Sequence, residues 1–393
     1  MQITYKFRLY PNKEQEINML KTLESCREVY NILLNELNEQ KVIDKAQIQG
    51  TIPDIKICEP RFKNIYSKPL QYECYKLFSN LQALTKTKGK RKIGKLRFKG
   101  KGWFKTFTYN QSGFKLIKTG KRYQILWLSK IGNIPIRCHR NIKGKIKQIT
   151  IKRESSGKWF ATVCEERNVT ILQQPIKNVV GIDLGLINIV YDSDGNNIIN
   201  PRHLNNKADK LARLQKRMCK KKKGSNNRMK SRLKVARQYE KITNSRDDFL
   251  HKISKYYVDK YDVIGIEDLI ITDMIHNKLA KHIFDASWGR FRQFISYKAE
   301  SAGKIFMLVN HKGTTQRCSN CGNKVKKGLY DREHKCSNCG LEIPRDYNSA
   351  LEIKRLCLQK IRQELSESTL VEMEALSNQG QLPSLKQEIP CES

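Results

Sequence analysis

Two short apolar runs constrain this chain more than any other feature, because each carries a carboxylate where a hydrocarbon side chain belongs. VVGIDLG (179–185) reads as a buried strand with Asp183 inside it, and VIGIE closes a second buried strand on Glu267. Removing an ionised carboxyl from water is expensive unless it is paired or holds a cation. A third acid, Asp346, lies in PRDYNSALEI beside the start of a helix whose apolar positions include Ala350, Leu351 and Ile353. Three acids from separate elements would repel one another if they met, and divalent cations relieve that repulsion. Two Mg²⁺ ions about 4 Å apart, held by oxygen donors of this kind, would activate water and stabilise the leaving oxygen of a phosphodiester. Taken singly, each acid reads better as an ion pair or a helix cap, and Asp346 in particular could simply cap its helix. Two strand-embedded acids with a third after the cysteine pairs are much harder to dismiss. Asp268 should face away from Glu267, because strand side chains alternate. Asp192 and Asp194 belong to a DSDG turn and read as solvated.

Of the 12 cysteines, Cys318, Cys321, Cys336 and Cys339 form two CxxC pairs, each half reading CSNCG. Four thiolates at this spacing suit a closed, tetrahedral, structural Zn²⁺ site. A redox pair or disulfides are the alternatives, and His311 and His334 are substitute ligands that four cysteines make unnecessary. The remaining cysteines are scattered singly, as buried thiols are. MQITYKFRLYPN has no apolar core of a leader, and no run approaches the roughly 20 apolar residues of a membrane span. A reducing intracellular compartment is therefore expected.

Charge names the partner class. The chain carries 76 Lys and Arg against 38 Asp and Glu, a net +38, which repels itself unless a polyanion lies against it. Between Arg202 and Lys260 the excess is concentrated, with 20 basic and 5 acidic residues. In KRKIGKLRFKGKGWFKTFTYN, the residues Arg97, Phe98, Trp103, Phe104, Phe107 and Tyr109 interleave cations with rings. Rings can stack on unpaired bases while Lys and Arg hold phosphates. The alternative is a strand with one solvated lysine face and one buried aromatic face. Lys221 and Lys222, inside Lys220–Lys223, are either phosphate contacts or a solvated loop, and carry no base-reading information.

The 393 residues suffice for about two or three domains. Residues 2–10 alternate as a strand; Pro11 and Asn12 stop it, and Asn12 can cap a helix over 13–40. A second helix is expected from Ser67, with Pro69 in its first turn. From 91 to 163 the texture is short strands broken by Gly: KLRFKG, FKTFTYN, RYQILWLS, IKQITIKR and KWFATVC. The helical stretch 12–90 thus looks inserted after the first strand of a β-rich module. Beyond Pro175 an α/β pattern follows, with strands at 179–185, 187–192, 197–200, 262–267 and 304–310. The tail 361–393, with two basic and six acidic residues, is expected to be weakly ordered.

GIDLG with Asp183, IGIEDL with Glu267, the double CSNCG knuckle and RDYNSA with Asp346, in this order, resemble the TnpB family. These are RNA-guided nucleases encoded by bacterial and archaeal insertion sequences and related to type V CRISPR effectors. SWGRFRQFISYKAESAG (287–303) and YKFRLYPNKEQE look like that family too, so the resemblance spans nearly the whole chain. It implies an α/β chain with a β-rich module: a wedge-type β-barrel at 1–11 and 91–178, and a helical recognition insertion at 12–90. A RuvC/RNase H-like nuclease domain would occupy 179–313 and 341–360, interrupted by a zinc-ribbon insertion at 314–340. The implied activity is guide-RNA-directed cleavage of double-stranded DNA beside a short transposon-adjacent motif, with base pairing reading sequence and protein reading shape and motif. Asp183, Glu267 and Asp346 would hold Mg²⁺ or Mn²⁺, and the four cysteines Zn²⁺; none of these seven positions departs from the family's pattern, and the motif-reading side chains are left open. A cytoplasmic, prokaryotic location without membrane attachment is implied as well. The competing readings are a guide-dependent DNA-binding protein that does not cut, and a transposase or structure-specific nuclease. A triad of buried acids argues against the first, and the large N-terminal half against the second.

Overall fold

A computed structural model describes residues 2–40, 44–87, 95–120, 122–167, 176–270, 280–310, 313–328 and 331–378, with backbone alone from 364 onward. The chain divides into two units, one of residues 1–170 and 218–237, the other of 171–217 and 238–393.

The first unit begins with β1 (Gln2–Leu9), which Asn12 terminates by capping α1 (Lys13–Glu39). The Asn12 side chain accepts the Gln15 N–H at 2.8 Å and the Gln15 side chain accepts the Asn12 N–H at 3.0 Å, a reciprocal box that satisfies two orphan donors. Then come α2 (Lys45–Cys58) and α3 (Ser67–Thr87). Six strands follow: β2 (Thr106–Asn110), β3 (Phe114–Ile117), β4 (Gln124–Leu128), β5 (Gly132–Arg137), β6 (Lys145–Arg153) and β7 (Trp159–Glu166). They join β1 in a seven-stranded antiparallel sheet of order β2-β6-β7-β1-β5-β4-β3. The two edge strands are consecutive in sequence, and the Tyr109 hydroxyl on β2 reaches the Ser129 carbonyl at 2.8 Å, so the sheet is nearly closed and barrel-like. Because β1 lies between β7 and β5, the helices that follow it are an insertion within the sheet's sequence.

One expected strand is absent. KLRFKG is held in irregular backbone because α1 takes its polar groups: Asn31 exchanges two hydrogen bonds with Lys99, at 2.8 and 3.0 Å, and Arg27 donates to the Lys99 carbonyl at 2.9 Å. Groups so occupied cannot build a ladder. Phe107 and Tyr109 are fully buried in the core of this unit and are not available for base stacking, which corrects the reading of those two rings.

The second unit holds a five-stranded sheet of β8 (Val179–Asp183), β9 (Asn188–Asp192), β10 (Asn197–Ile199), β11 (Val263–Glu267) and β12 (Ile305–Val309). Its order is β10-β9-β8-β11-β12, with β8, β11 and β12 parallel and β9 antiparallel to β8 and β10. Every residue of β8 and β11 is buried, which is why both read as continuous apolar runs. Alternation along the strands assigns the two faces. Val180, Ile182, Ile264 and Ile266 pack with Leu250, Ile253 and Tyr257 of α5 (Asn226–Lys260) and with Phe291 and Ile295 of α7 (Trp288–Ser301). Shorter helices are α4 (Ala208–Cys219) and α6 (Ala280–Ala286). Val179 and Val263 face the other way, onto Ile353, Cys357 and Ile361 of α8 (Arg345–Asn378).

Helix α8 runs to Asn378, so the backbone of 361–378 is helical, where Glu, Leu, Met and Ala are strong helix formers. Residues 379–393 lie outside the described residues. Among those described, no helix is long and apolar enough to cross a membrane.

Candidate active site and metal centre

Asp183 ends β8 and Glu267 ends β11, one position beyond the paired residues Ile182 and Ile266, so the two acids close neighbouring parallel strands at the same end. Two residues earlier, on the same face, Gly181 pairs with Gly265. These glycines admit α8. A Cβ at Gly181 would stand 2.2 Å from the Ala350 carbonyl oxygen and 2.5 Å from the Lys354 nitrogen, and one at Gly265 would stand 2.1 Å from the Cys357 sulfur. With the helix backbone laid this closely on the strands, its first turn carries Asp346 to the acidic end of the sheet.

The electrostatics register the meeting. Asp183 is buried, with 8 % of its surface exposed, and its carboxyl is held well above the usual range. Burial is the main cause, the charges of Glu267 and Asp346 add to it, and Arg345 and the Leu184 N–H oppose it. Thr314, itself buried, donates its hydroxyl to Glu267 at 2.5 Å, and Arg345 donates to Asp346 at 3.4 Å. Sequence reasoning named the three acids but missed Gly181, Gly265 and Thr314. The repeated Gly-Ile-acid in both strands was the available signal.

The neighbouring acids divide. Asp268 is exposed and pairs with Arg292 at 2.9 Å, as strand alternation requires. Asp192 is not the solvated turn residue it resembled. It is fully buried and accepts from the Asp194 and Asn196 N–H groups at 3.0 and 2.9 Å and from the Tyr257 hydroxyl at 2.9 Å. These donors stabilise the charge in place of water.

The four cysteines converge. Their sulfurs all lie within 4.8 Å of one another, with Cys318 and Cys339 at 3.7 Å and Cys321 and Cys336 at 3.5 Å. Sulfurs around a tetrahedral Zn²⁺ at about 2.3 Å stand roughly 3.8 Å apart, so the donor set fits that ion. Both knuckles share one geometry: Gly322 donates to the Cys318 carbonyl and Gly340 to the Cys336 carbonyl, each at 2.9 Å, and each glycine has positive φ. The second knuckle joins β13 (Glu333–Lys335) to β14 (Glu342–Pro344). The Cys321 thiol is pulled down to about 6, first by the Asn323 backbone N–H and then by the Asn338 side chain, while burial raises Cys318 to about 11. His334 hydrogen-bonds Lys327, outside the four-sulfur set. Asn348, buried on α8, accepts from the Ser319 N–H at 3.0 Å and donates to the Arg317 carbonyl at 2.8 Å, fastening the first knuckle to that helix. Among the described residues no other group of three or more His, Cys, Asp or Glu gathers as tightly.

The expected nucleic-acid contacts are more dispersed. Arg97 and Lys222 are exposed, Phe98 is 57 % and Trp103 67 % exposed, and the Lys99 ammonium lies 5.6 Å from the Trp103 ring. Phe104 is half-buried edge-on against Tyr30, and the Lys221 carbonyl accepts from Arg228 at 2.8 Å.

A chain with this mixed sheet and four-sulfur knuckle is similar to known families. Residues 162–278 match a family model described as "Probable transposase", residues 288–353 one described as "Cas12f1-like, TNB domain", and residues 1–40 a "Helix-turn-helix domain". A "Putative RNA-guided DNA endonuclease" of Streptomyces pristinaespiralis is 31% identical over 333 residues, covering 81% of this chain and 80% of that protein. InsQ of Escherichia coli K12, whose name carries the same description, is 29% identical over 346 residues, with 82% and 84% covered. The fold is similar to that of Cas12f1 in its complex with sgRNA and target DNA, with a TM-score of 0.60, 15% identity, and 90% of this chain and 98% of that one covered. The chain belongs to the TnpB family, which is related to type V CRISPR effectors.

Proposed function

We propose that this chain is an RNA-guided endonuclease that cleaves double-stranded DNA beside a short transposon-adjacent motif, using a RuvC-type carboxylate site. The observation that carries the reading is Asp183: a buried carboxyl whose nearest charges include two further carboxylates, from β11 and α8. Like charges gathered in a buried place are costly, and a cation offsets that cost. The sheet order β10-β9-β8-β11-β12, with only β9 running against its neighbours β8 and β10, supports an RNase H-like frame for the site. The net charge of +38 suits both a guide RNA and a DNA duplex, and relatives of similar length carry RNA-guided endonuclease names.

Asp183, Glu267 and Asp346 would hold two Mg²⁺ or Mn²⁺ ions, whose all-oxygen preference the three carboxyls meet. Such ions supply a water activated for attack on phosphorus and neutralise charge on the leaving oxygen. The protein's own part is positional. Thr314 fixes one oxygen of Glu267, Arg345 moderates the field at Asp183, and the apolar strand residues keep bulk water from the acids. The four cysteines would hold one structural Zn²⁺.

The test is cleavage by protein purified with its RNA, on matched and mismatched duplex DNA, in Mg²⁺ with and without chelator. Asp183→Asn should lose cleavage and keep guide and target binding. Undiminished cleavage by that variant would remove the assignment. Wild-type binding without cutting would favour an occluding binder, and cutting independent of RNA a transposase or structure-specific nuclease.

A further inference from the structure

The first unit contains a second concentration of charge that the nuclease site does not use. A cavity of about 250 Å³ is lined by Lys105, Arg153 and Arg232, with Met229 and Leu233 as its apolar wall. Local structure brings these residues together. Lys105 immediately precedes β2, and its carbonyl accepts the Arg153 N–H at 2.8 Å, so the two residues are neighbours across the β2–β6 pairing. The β6–β7 turn is tight: Glu154 and Lys158 are joined at 2.8 Å, and Gly157 takes the left-handed conformation the turn requires, with φ +82°. The first turns of α5 supply Met229, Arg232 and Leu233.

Three cations facing one cavity repel each other unless something negative lies among them. Glu154 also lines the cavity, yet its carboxylate is taken by Lys6 at 2.7 Å and Lys152 at 3.2 Å. Glu16 reaches Arg153 only at 3.7 Å. Arg153 keeps a buried Nε with no hydrogen-bond partner, and the Ser156 hydroxyl in the same turn is likewise buried and unmatched. Lys105 is held below its usual range, by burial first and then by the charges of Arg153 and Arg232. Lys105 spends one donor on the Gly102 carbonyl at 2.6 Å, and Arg232 is exposed. Cations gathered in this way favour an anion with several acceptor oxygens, and guanidinium groups favour planar or tetrahedral oxyanions. The cavity exceeds the needs of a bare phosphate, and Met229 and Leu233 offer a surface for a sugar.

We propose that Lys105, Arg153 and Arg232 form a seat for one phosphodiester of a bound nucleic-acid strand, with its sugar against Met229 and Leu233. This rests on the reading of the chain as a nucleic-acid-binding protein, but not on cleavage. The guide RNA and the target DNA are both possible sources of that phosphate, and the assay separates them.

Affinity is measured against salt concentration in two steps, for guide RNA by the free protein and for target DNA by the RNA-loaded protein. Lys105→Gln and Arg232→Gln are compared with Lys230→Gln, an exposed control on the same helix that does not line the cavity. Losing one phosphate contact should make the log–log salt slope shallower by about 0.7 for a single strand or 0.9 for duplex DNA. It should also weaken binding roughly tenfold. That change in the RNA step alone would identify the occupant as RNA, and in the DNA step alone as DNA. No change in either step, or an equal change in Lys230→Gln, overturns the seat. Wild-type protein that binds no RNA would instead overturn the broader reading, so the two failures are distinguishable. Arg232 is exposed on its helix, so its variant should unfold at the wild-type temperature, which verifies that lost affinity is local.

Discussion

Substituting Gly181 by Ala tests whether the approach of α8 sets the geometry of the acids. The new methyl would lie 2.2 Å from the Ala350 carbonyl oxygen and 2.5 Å from the Lys354 nitrogen, both helix backbone that no rotamer change can move. To regain ordinary contact near 3.5 Å the helix must retreat by roughly 1 Å. Overpacking of this kind costs about 1–3 kcal/mol, and the absence of a yielding side chain puts Gly181→Ala at the upper end. The unfolding temperature should fall by roughly 2–4 °C per kcal/mol. Cleavage should fall further than stability does, about 10²-fold, because a 1 Å displacement of Asp346 disturbs a positioned site. Gly265→Ala provides the control, since its methyl would meet the Cys357 sulfur at 2.1 Å, an atom that can be removed. Cys357→Ala alone should cost about 1 kcal/mol. Combined with Gly265→Ala it should restore much of the lost stability, with a coupling of about 1–2 kcal/mol. No substitution at Cys357 should rescue Gly181→Ala. If Gly181→Ala melts and cleaves like wild type, or if Cys357→Ala rescues both glycine variants alike, close packing of α8 is not what positions the acids.

Three further outcomes are expected. Metal analysis should find one zinc per chain, and Cys318→Ser should lower both zinc content and unfolding temperature; folded protein with full stability and no zinc would contradict the four-sulfur centre. Thr314→Val should cut cleavage about 10–100-fold and raise the Mg²⁺ needed for half-maximal rate, while Thr314→Ser stays near wild type, because a partner that orients a metal-binding carboxylate has effects of that size. Glu73, fully buried on α3 beside Lys76 at 2.8 Å, is pushed up to about 7, chiefly by burial. Its native form therefore binds more protons than the unfolded chain between about pH 4.5 and 7, and its contribution to stability falls across that window as pH rises. Glu73→Gln should gain on wild type by roughly 3 kcal/mol between pH 5 and 8, read from denaturant unfolding. A difference that stays constant with pH would show that Glu73 titrates normally.

The parts of this fold that were legible in the sequence are those whose physics is local. An acid inside an apolar run, a cysteine spacing and a helix cap at Asn12 each declare themselves within a few residues. The misreadings share the opposite origin. KLRFKG alternates like a strand, but Asn31 and Arg27 arrive from α1 to claim its backbone. DSDG looks like a wet turn, but Tyr257 arrives from α5 to bury Asp192. Helix α2 is not singled out within the helical stretch 12–90; Gly50 and Pro53 disfavour it, at a cost that burial of Ile48 and Ile52 helps offset. For KLRFKG and DSDG a residue far along the chain supplies a partner that composition cannot disclose.

The cysteine knuckle lies between two elements that bear the acids. Its leading segment is tied at both ends to elements that bear the acids: Thr314 donates to Glu267 on β11, and Asn348 of α8 holds Arg317 and Ser319. Residues 314–319 therefore span from the end of one acidic strand to the helix that carries Asp346. A strand end and a helix start are each prone to fraying, because their terminal backbone groups lack partners within the element. Clamping both to one knuckle, which a bound Zn²⁺ would close, would restrict their relative movement at the end of the sheet that bears the acids. On this argument loss of zinc should affect cleavage before it affects the sheet, whose core of Val180, Ile182, Ile264 and Ile266 lies on the face turned away from α8.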